Sequence, residues 1–211
     1  MVDSGKKKIL LLALVIAVAI VLLLVSIPLL ALLLEEPPPT YDFVFADPAL
    51  SEDIYADEDY LALDRSFYYM TSEGNYTFKT AIGEQDVTSY NQAVQLLIRL
   101  VQAAIAGDET AYNACFSPEY IAKSGLQGAF TMQKIYDICI EKYLVPSDMV
   151  VPKNYSDMYA YGLTYRIKDN NGSLRQDVES DATRMQMITV VIDRSGQPWI
   201  YGIETLHYRP A

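Results

Sequence analysis

The sequence has few of the residues that most often carry chemistry. It contains one histidine, one tryptophan and two cysteines. It also lacks the serine-hydrolase elbow, the phosphate-binding loop, the zinc-ligand spacing and the dinucleotide-binding fingerprint. The histidine, His207, stands near the C-terminus, and no partner that would position it as a general base is recognisable. The sequence therefore offers no catalytic residue, no metal site and no cofactor, and it favours a non-enzymatic role.

Clusters of positive charge are also missing. The net charge is −11, and it comes from one part of the chain. Residues 35–88 contain thirteen acidic and two basic side chains, whereas the rest of the chain has fourteen of each sign. Binding to nucleic acid requires clustered lysine and arginine. The sequence therefore argues against nucleic acid as a partner.

A long apolar run dominates the N-terminal region. Residues 9–34 are 26 positions without a charge. As a helix they would measure roughly 39 Å, longer than the ~30 Å hydrocarbon core, and tilt or a kink at Pro28 would absorb the excess. A cleaved signal peptide is the alternative, but its apolar region is normally about 7–15 residues and ends in small residues. The run predicts an uncleaved transmembrane helix that inserts in the lipid bilayer.

The flanking charges orient this helix. Lysines at positions 6–8 precede it, and Glu35 and Glu36 follow it. The positive-inside rule then places residues 1–8 in the cytoplasm and the remainder outside. We expect a single-pass protein of the cell membrane whose C-terminal domain is extracytoplasmic.

Residues 35–85 read as an acidic, tyrosine-rich connector. The prolines at 37–39 stiffen the exit from the membrane. The acidic triplet at 57–59 lacks the spacing and the glycine of a calcium-binding loop, so a solvated spacer is preferred. The aromatic patch at 61–70 is expected to pack on the following domain or on a partner, and residues 75–83 to form a short edge strand.

The domain proper is predicted over residues 86–211, and it begins with a helix. Apolar residues recur at helical spacing up to Gly107. Thr88 or Ser89 can cap the start, and Gly107 is suited to the left-handed residue that ends a helix. Asp108 is then the N-cap of a second helix, worth about 1 kcal/mol. This acidic corner is predicted to join two helices and not to carry chemistry.

Two more helices are predicted. Ser117 is suited to cap a short helix with Pro118 at its first position. Residues 131–144 show helical spacing with Thr131 as the cap, and the pattern stops before Pro146. The apolar positions of this last helix would be Ile135, Ile138, Cys139 and Tyr143.

The pattern then changes to the alternation of strands. Residues 159–168 alternate apolar and polar side chains, and Asn171-Gly172 is a strong hairpin signal. Residues 173–193 read as one long bent strand or as two strands. A turn at 193–197 leads into a last strand at 198–208. Helices followed by antiparallel strands predict an α+β fold with the helices on one face of a curved sheet.

This order of elements resembles the nuclear transport factor 2-like (cystatin-like cone) superfamily. The matching parts are residues 104–120 and the hairpins over 161–203, within the last 125 residues or so. The chain is also similar to membrane-anchored surface proteins of Gram-positive Firmicutes that carry such a domain. The resemblance implies a cone-shaped pocket and an open sheet face used for dimers. It implies no catalytic residue, because no position matches a catalytic motif of the superfamily, and fold alone does not define function.

Several side chains remain as candidates for binding or structure. A disulfide between Cys115 and Cys139 is permitted outside the membrane and would contribute about 3 kcal/mol, although two buried thiols explain the pattern equally well. The residues that could line a pocket or an interface are Tyr161, Tyr165, Trp199 and Tyr201.

We therefore expect a membrane-anchored, non-catalytic module that binds another envelope protein or forms a homodimer. One alternative is a receptor for a small ligand, or an isomerase-like or cyclase-like enzyme, that uses the cone cavity. Another is an accessory subunit of a secretion or conjugation apparatus.

Overall fold

The computed structural model describes residues 42–73, 76–145 and 149–205 of the chain. These residues form an α+β fold with one six-stranded mixed sheet, which confirms the predicted class. The helices are α1 (Glu58–Leu61), α2 (Gln92–Ala106), α3 (Glu109–Asn113) and α4 (Pro118–Ser124), and the strands are β1 (Phe67–Glu73), β2 (Tyr76–Ile82), β3 (Lys134–Tyr143), β4 (Tyr155–Lys168), β5 (Gln186–Asp193) and β6 (Pro198–Thr205).

The strands follow the order β2-β1-β3-β4-β5-β6 across the sheet. Strand β1 runs parallel to β3, and every other neighbouring pair is antiparallel. The two edges of the sheet are therefore β2 and β6. Short 3-10 helices occur at Pro48–Ser51, Ile54–Ala56 and Glu84–Ser89.

Helix α2 is the long amphipathic helix that the sequence predicts, but it begins later. Its N-cap is Asn91, whose side-chain Oδ1 accepts a hydrogen bond from Val94 N at 3.0 Å. The expected caps Thr88 and Ser89 are wrong, because both lie in the preceding 3-10 helix. The residues that were expected to form the first turn of α2 belong to this 3-10 helix instead.

The joint between α2 and α3 has the geometry that the sequence predicts. Gly107 ends α2 at φ 67°, in the left-handed region. A side chain there would place its Cβ 2.7 Å from the backbone nitrogen of Met132, so glycine is required by space as well as by φ. Asp108 caps α3 by accepting a hydrogen bond from Ala111 N at 2.9 Å. The acidic corner is a helix boundary.

The core lies between α2 and the inner face of the sheet. Fully burying one aliphatic side chain contributes about 1.5–3 kcal/mol, so this layer holds α2 against the strands. The α2 side chains in it include Val94, Leu97, Leu100 and Val101, and those from the strands include Ile138, Ile140, Tyr161, Leu163, Ile188, Val190 and Ile200.

The predicted helix over residues 131–144 is wrong, because this segment contains strand β3. Ile135, Ile138 and Ile140 are all fully buried. A β-bulge occurs between the first two of them, where Asp137 has φ 53°. The extra residue makes the spacing of inward side chains three and then two, instead of a constant two. That irregular spacing imitates the period of a helix.

The link between β4 and β5 also differs from the prediction. The hairpin turn at Asn171 and the strand over 173–180 are wrong, because residues 169–185 form an irregular loop. The loop is organised by the buried side chain of Asn170, whose Nδ2 donates to the carbonyl of Val178 at 2.7 Å and to a second loop carbonyl. These carbonyls bond to a side chain and not to a neighbouring strand.

Much of the predicted connector is built into the fold. Strands β1 and β2 belong to the sheet, and β2 is an edge strand, as predicted. Two aromatic side chains of β1, Phe67 and Tyr69, pack against the core, as predicted for the aromatic patch. Further upstream, the buried Tyr60 donates a hydrogen bond from its hydroxyl to the carbonyl of Ile135 at 3.0 Å.

In the part of the chain that the structure describes, no helix has both the length and the apolar character needed to cross a bilayer. The predicted span, residues 9–34, lies outside the described residues, and so do residues 1–8 and His207.

Candidate functional site

A buried arginine in the β4–β5 loop organises a polar cluster beside a cavity. Arg175 is only 6% exposed. Its Nε and Nη2 donate to the two carboxylate oxygens of Asp177 at 2.6 and 2.8 Å. Its Nη1 donates to the hydroxyl of Tyr165 at 3.2 Å, and that hydroxyl donates onward to Gln186 Oε1 at 3.4 Å. The result is a chain of hydrogen bonds that begins with a bidentate ion pair.

The ion pair remains charged. Burial alone would lower the pKa of Arg175, but Tyr165 and Asp177 outweigh it, and the net shift is upward. Burial alone would raise the pKa of Asp177, but its bonds to Arg175 reverse the effect and the net shift is downward. Nearby, burial raises the pKa of Tyr112 far above its usual range. None of these three groups exchanges a proton near neutral pH, so they provide no general acid or base.

A cavity of about 280 Å³ borders this cluster. Helices α3 and α4 form one wall, and β5, β6 and the β4–β5 loop form the other. Its volume is close to the lower end of the range for small-ligand pockets, about 300–1,000 Å³. The guanidinium has five N–H donors, of which the bonds above use three. The polar side chains that line the cavity include Asn113, Ser124, Gln127, Arg175, Gln186 and Thr205.

The predicted aromatic candidates do not line this cavity together. Tyr161 is buried in the core, where its hydroxyl accepts a hydrogen bond from Asn91 Nδ2 at 3.0 Å. Burial raises the pKa of Tyr161 to about 12. Tyr165 belongs to the Arg175 cluster through its hydroxyl and through its ring, whose centroid lies 5.5 Å from the guanidinium carbon. Tyr201 packs edge-to-face on Tyr155, with ring centroids 5.7 Å apart.

Trp199 lies near the turn that precedes β6. Its indole Nε1 donates to Asp193 Oδ2 at 3.1 Å. Asp193 Oδ1 accepts from the hydroxyl of Ser195 at 2.6 Å and from the backbone of Ser195 and Gln197. The bond from the Ser195 hydroxyl, followed by those from Trp199 and the backbone, lowers the pKa of Asp193 to about 2. Trp199, the second residue of β6, therefore stabilises the turn that precedes this strand.

Both cysteines are free thiols. Cys115 is buried, and its Sγ donates to the carbonyl of Ala111 at 3.5 Å. Burial raises the pKa of Cys115 to about 11, so its thiolate is scarce at neutral pH. Cys139 is half-buried on β3, and burial raises its pKa as well. Neither is suited to act as a nucleophile.

A second cluster joins the predicted connector to the sheet. Lys134 on β3 lies 2.7 Å from Asp57 Oδ2 and 2.9 Å from Asp169 Oδ2, and its side chain is 5% exposed. Lys168 on β4 also lies 2.7 Å from Asp57 Oδ2. Hydrogen bonds from the two lysines hold the pKa of Asp57 well below its usual range. Asp57, part of the acidic triplet, thus binds lysines, which is a structural role.

The open groove beside β1 has about 790 Å³ and lies between Asp64–Phe67, Ile82–Glu84 and α2. Its charged groups stand on the exposed rim. Asp64 accepts from Ser66 N and Tyr68 OH, and Arg65 lies over the ring of Tyr60. No cluster of three histidine, cysteine or carboxylate side chains suited to a metal ion occurs among residues 42–73, 76–145 and 149–205.

The edge strand β2 is the most exposed element of the sheet. Every residue from Tyr76 to Ala81 is exposed on both faces, and only Ile82 is buried. Tyr76 and Phe78 are 74% and 53% exposed, and they are the only strand residues among the exposed large apolar side chains of the described chain. Sequence analysis identified the edge strand but not this display of aromatic side chains.

Comparison of the chain with models of protein families, with curated proteins and with solved structures gave no match.

Proposed function

We propose that this protein is a membrane-anchored, extracytoplasmic assembly module that acts by self-association and not by catalysis. The proposed anchor is the apolar run at 9–34, with its lysines before and its acids after. The observation that carries the proposal is strand β2. It is an ordered strand that presents aromatic side chains, both faces and a free edge to solvent.

The protonation states of the Arg175 cluster support a non-catalytic role. Arg175 and Tyr112, which line the cavity, and Asp177, which pairs with Arg175, each keep one protonation state near neutral pH. The space between α2 and the sheet is filled by apolar side chains. A reaction would need a positioned acid, base or nucleophile, and Arg175, Asp177 and Tyr112 do not provide one.

The nuclear transport factor 2-like family remains our proposal for the domain. A long helix, a glycine-aspartate joint and two short helices precede the antiparallel strands β3 to β6, in keeping with the resemblance. Two features depart from the expectation. The expected helix over residues 131–144 is replaced by β3, and the parallel pair of β1 and β3 adds a hairpin from the predicted connector.

The test of self-association is the mass of the full-length chain. Sedimentation velocity in a mild detergent should show a dimer whose fraction rises with protein concentration. A chain that stays monomeric up to its highest soluble concentration would contradict the proposal. Adding 0.5 M salt separates apolar from ionic association, because salt screens exposed charges and leaves apolar burial in place.

A second candidate function is the recognition of a small polar ligand by the Arg175 cavity. It is favoured by a buried guanidinium with more N–H donors than its bonds use. Thermal unfolding should then shift upward with a small carboxylate or amide. Gln127→Ala at the cavity wall should abolish the shift, whereas Gln85→Ala on an exposed 3-10 helix should keep it. No shift across the panel would remove this candidate.

A further inference from the structure

The two edges of the sheet are protected very differently. Edge strand β6 begins with Pro198 and is covered at its third residue, Ile200. Ser117 N donates to Ile200 O at 2.9 Å, and Ile200 N donates to Cys115 O at 2.8 Å. An exposed edge presents unpaired N–H and C=O groups, and proteins usually block such edges with prolines, bulges, charges or covering segments.

Among the described residues, no covering segment lies on strand β2, and its only charge is that of Lys79. The strand has no proline, and its register with β1 continues without a bulge over seven residue pairs. Its one charged residue, Lys79, is turned back toward its own sheet, with Nζ 4.1 Å from the ring centroid of Tyr68. The edge therefore keeps an unbroken row of backbone groups with a single charged side chain beside it.

The β1–β2 hairpin also reaches past the rest of the sheet. Strand β1 pairs with β3 only over Phe67–Met70, whereas it pairs with β2 along its full length to Glu73. A two-stranded ribbon without a packed face is marginally stable in water. Another strand added to β2 would supply the missing hydrogen bonds.

The other exposed sheet surface is less suited to association. On the face opposite α2, the alternate residues of β4 are Met158, Ala160, Gly162 and Thr164. All four are half-buried or buried within one chain, and the ring of Tyr143 lies against Gly162. These residues of β4 are therefore less exposed than Tyr76–Ala81 of β2.

We propose that β2 is a strand-addition site and that its occupant is β2 of a second copy of this chain, paired antiparallel about a twofold axis. This inference rests on the proposed self-association and names the surface that performs it. The β1–β2 hairpin contains one acid, Glu73, and one base, Lys79, in its described strands, so two copies meet there without net repulsion.

The geometry of antiparallel pairing restricts the register. Residues directly opposite each other either both point their N–H and C=O groups at the partner or both point them away. Neighbouring residues of a strand point these groups in opposite directions, so a residue cannot lie opposite its own neighbour in the second copy. In a pair with twofold symmetry, the residue on the axis must therefore lie opposite the same residue of the second copy. Lys79 facing itself would place like charges together, and Thr80 at the centre would require buried Ile82 opposite Phe78. Phe78 at the centre pairs every residue from Tyr76 to Thr80.

The Phe78 register is chemically self-consistent. Phe78 faces Phe78 of the second copy, and aromatic pairs across strands are favourable. Tyr76 then faces Thr80, and Thr77 faces Lys79. Tyr76 and Phe78 share one face of β2 because side chains alternate, so four aromatic rings from two copies would form one row.

Disulfide trapping of the full-length chain in detergent tests this register. In Phe78→Cys the two Cα atoms would lie about 4.5–5.5 Å apart, within disulfide range. In the matched control Thr80→Cys they would be offset by four residues, roughly 13 Å along the strand, and out of range. We expect a covalent dimer from Phe78→Cys and none from Thr80→Cys or the native chain. Equal trapping at both positions would overturn the register.

Charge variants give a second, reversible readout by sedimentation. Phe78→Glu places like charges at the twofold axis and should raise the dimer dissociation constant by about tenfold or more. Thr77→Glu should lower it, because the new carboxylate faces Lys79 twice in the symmetric pair. Tyr55→Glu is the matched control, since Tyr55 is an aromatic residue with 55% exposure outside the sheet, and it should leave association unchanged.

The outcomes separate the two proposals. If the dimer forms with an unchanged dissociation constant in Phe78→Glu and no covalent dimer forms in Phe78→Cys, the β2 site is overturned. The proposal of self-association is then unaffected. A monomer under all conditions would overturn both. A monomer that instead binds an extended peptide from another protein along β2 would overturn the second copy as the occupant.

Discussion

The sharpest stability prediction concerns Tyr60, in the segment that the sequence marks as an acidic spacer. The structure makes this tyrosine a core residue, with 1% exposure and a hydroxyl bonded to Ile135 O, 75 positions along the chain. Burial raises the pKa of Tyr60 to about 12. Tyr60 therefore anchors the segment before β1 to the sheet.

The expected cost follows from the burial and the hydrogen bond. Truncating a buried aromatic side chain to alanine costs about 3–5 kcal/mol, so Tyr60→Ala should lower the free energy of unfolding by that amount. Tyr60→Phe keeps the ring and leaves the carbonyl of Ile135 without its partner, which costs about 1–3 kcal/mol. The free energy of unfolding of a whole domain is about 5–15 kcal/mol, so Tyr60→Ala should remove a large share of it.

Urea unfolding of a fragment covering residues 41–211, one compact unit of the chain, measures these costs by circular dichroism. Tyr55→Ala is the control, because Tyr55 is largely exposed, and surface changes usually stay within about 0.5 kcal/mol. If Tyr60→Ala cost no more than Tyr55→Ala, the segment would be a solvated spacer, and its role in the fold would be refuted.

Three further predictions concern the helix joint, acid stability and the thiols. Gly107→Ala should destabilise the same fragment by about 1–2 kcal/mol or more in urea unfolding, because φ is positive and the site is crowded, whereas Gly128→Ala in open space should be tolerated. The lowered pKa of Asp193 contributes stability above its unfolded pKa, and this is lost as pH falls from about 4 to about 2. Asp193→Asn should therefore flatten the stability–pH curve in that window. A thiol reagent should titrate Cys115 and Cys139 in the unfolded chain without prior reduction, and native Cys115 should react slowly. A requirement for a reductant would refute the free thiols.

Local signals were sufficient for the helical joint. Capping depends on a few neighbouring residues, so Gly107 and Asp108 could be assigned from the sequence alone. The start of α2 was missed because Thr88, Ser89 and Asn91 are all suitable caps. The choice among them depends on how the 3-10 helix packs, which local sequence does not encode.

Strand β3 shows why a period can mislead. The bulge at Asp137 changes the spacing of Ile135, Ile138 and Ile140. Because the period of apolar residues is the main sequence signal for secondary structure, this spacing predicts a helix. The β-branched and aromatic residues of this segment favour a strand. Residue composition therefore predicts β3 correctly where the apolar period does not.

The Arg175 cluster could not be found from the sequence. Its members come from β4, the loop and β5, and Tyr165, Asp177 and Gln186 meet only after the sheet forms. The same limit applies to the ion cluster of Asp57 with Lys134 and Lys168. An acidic residue in a solvated run and one that binds buried lysines look alike until the fold brings them together.

Co-purification of two differently tagged full-length copies expressed in one membrane tests the central claim most directly. We predict that one tag retrieves the other after detergent extraction, and that Phe78→Glu in both copies reduces this recovery while Tyr55→Glu does not. If the native copies never co-purify, even after chemical cross-linking in the membrane, the protein does not act by self-association.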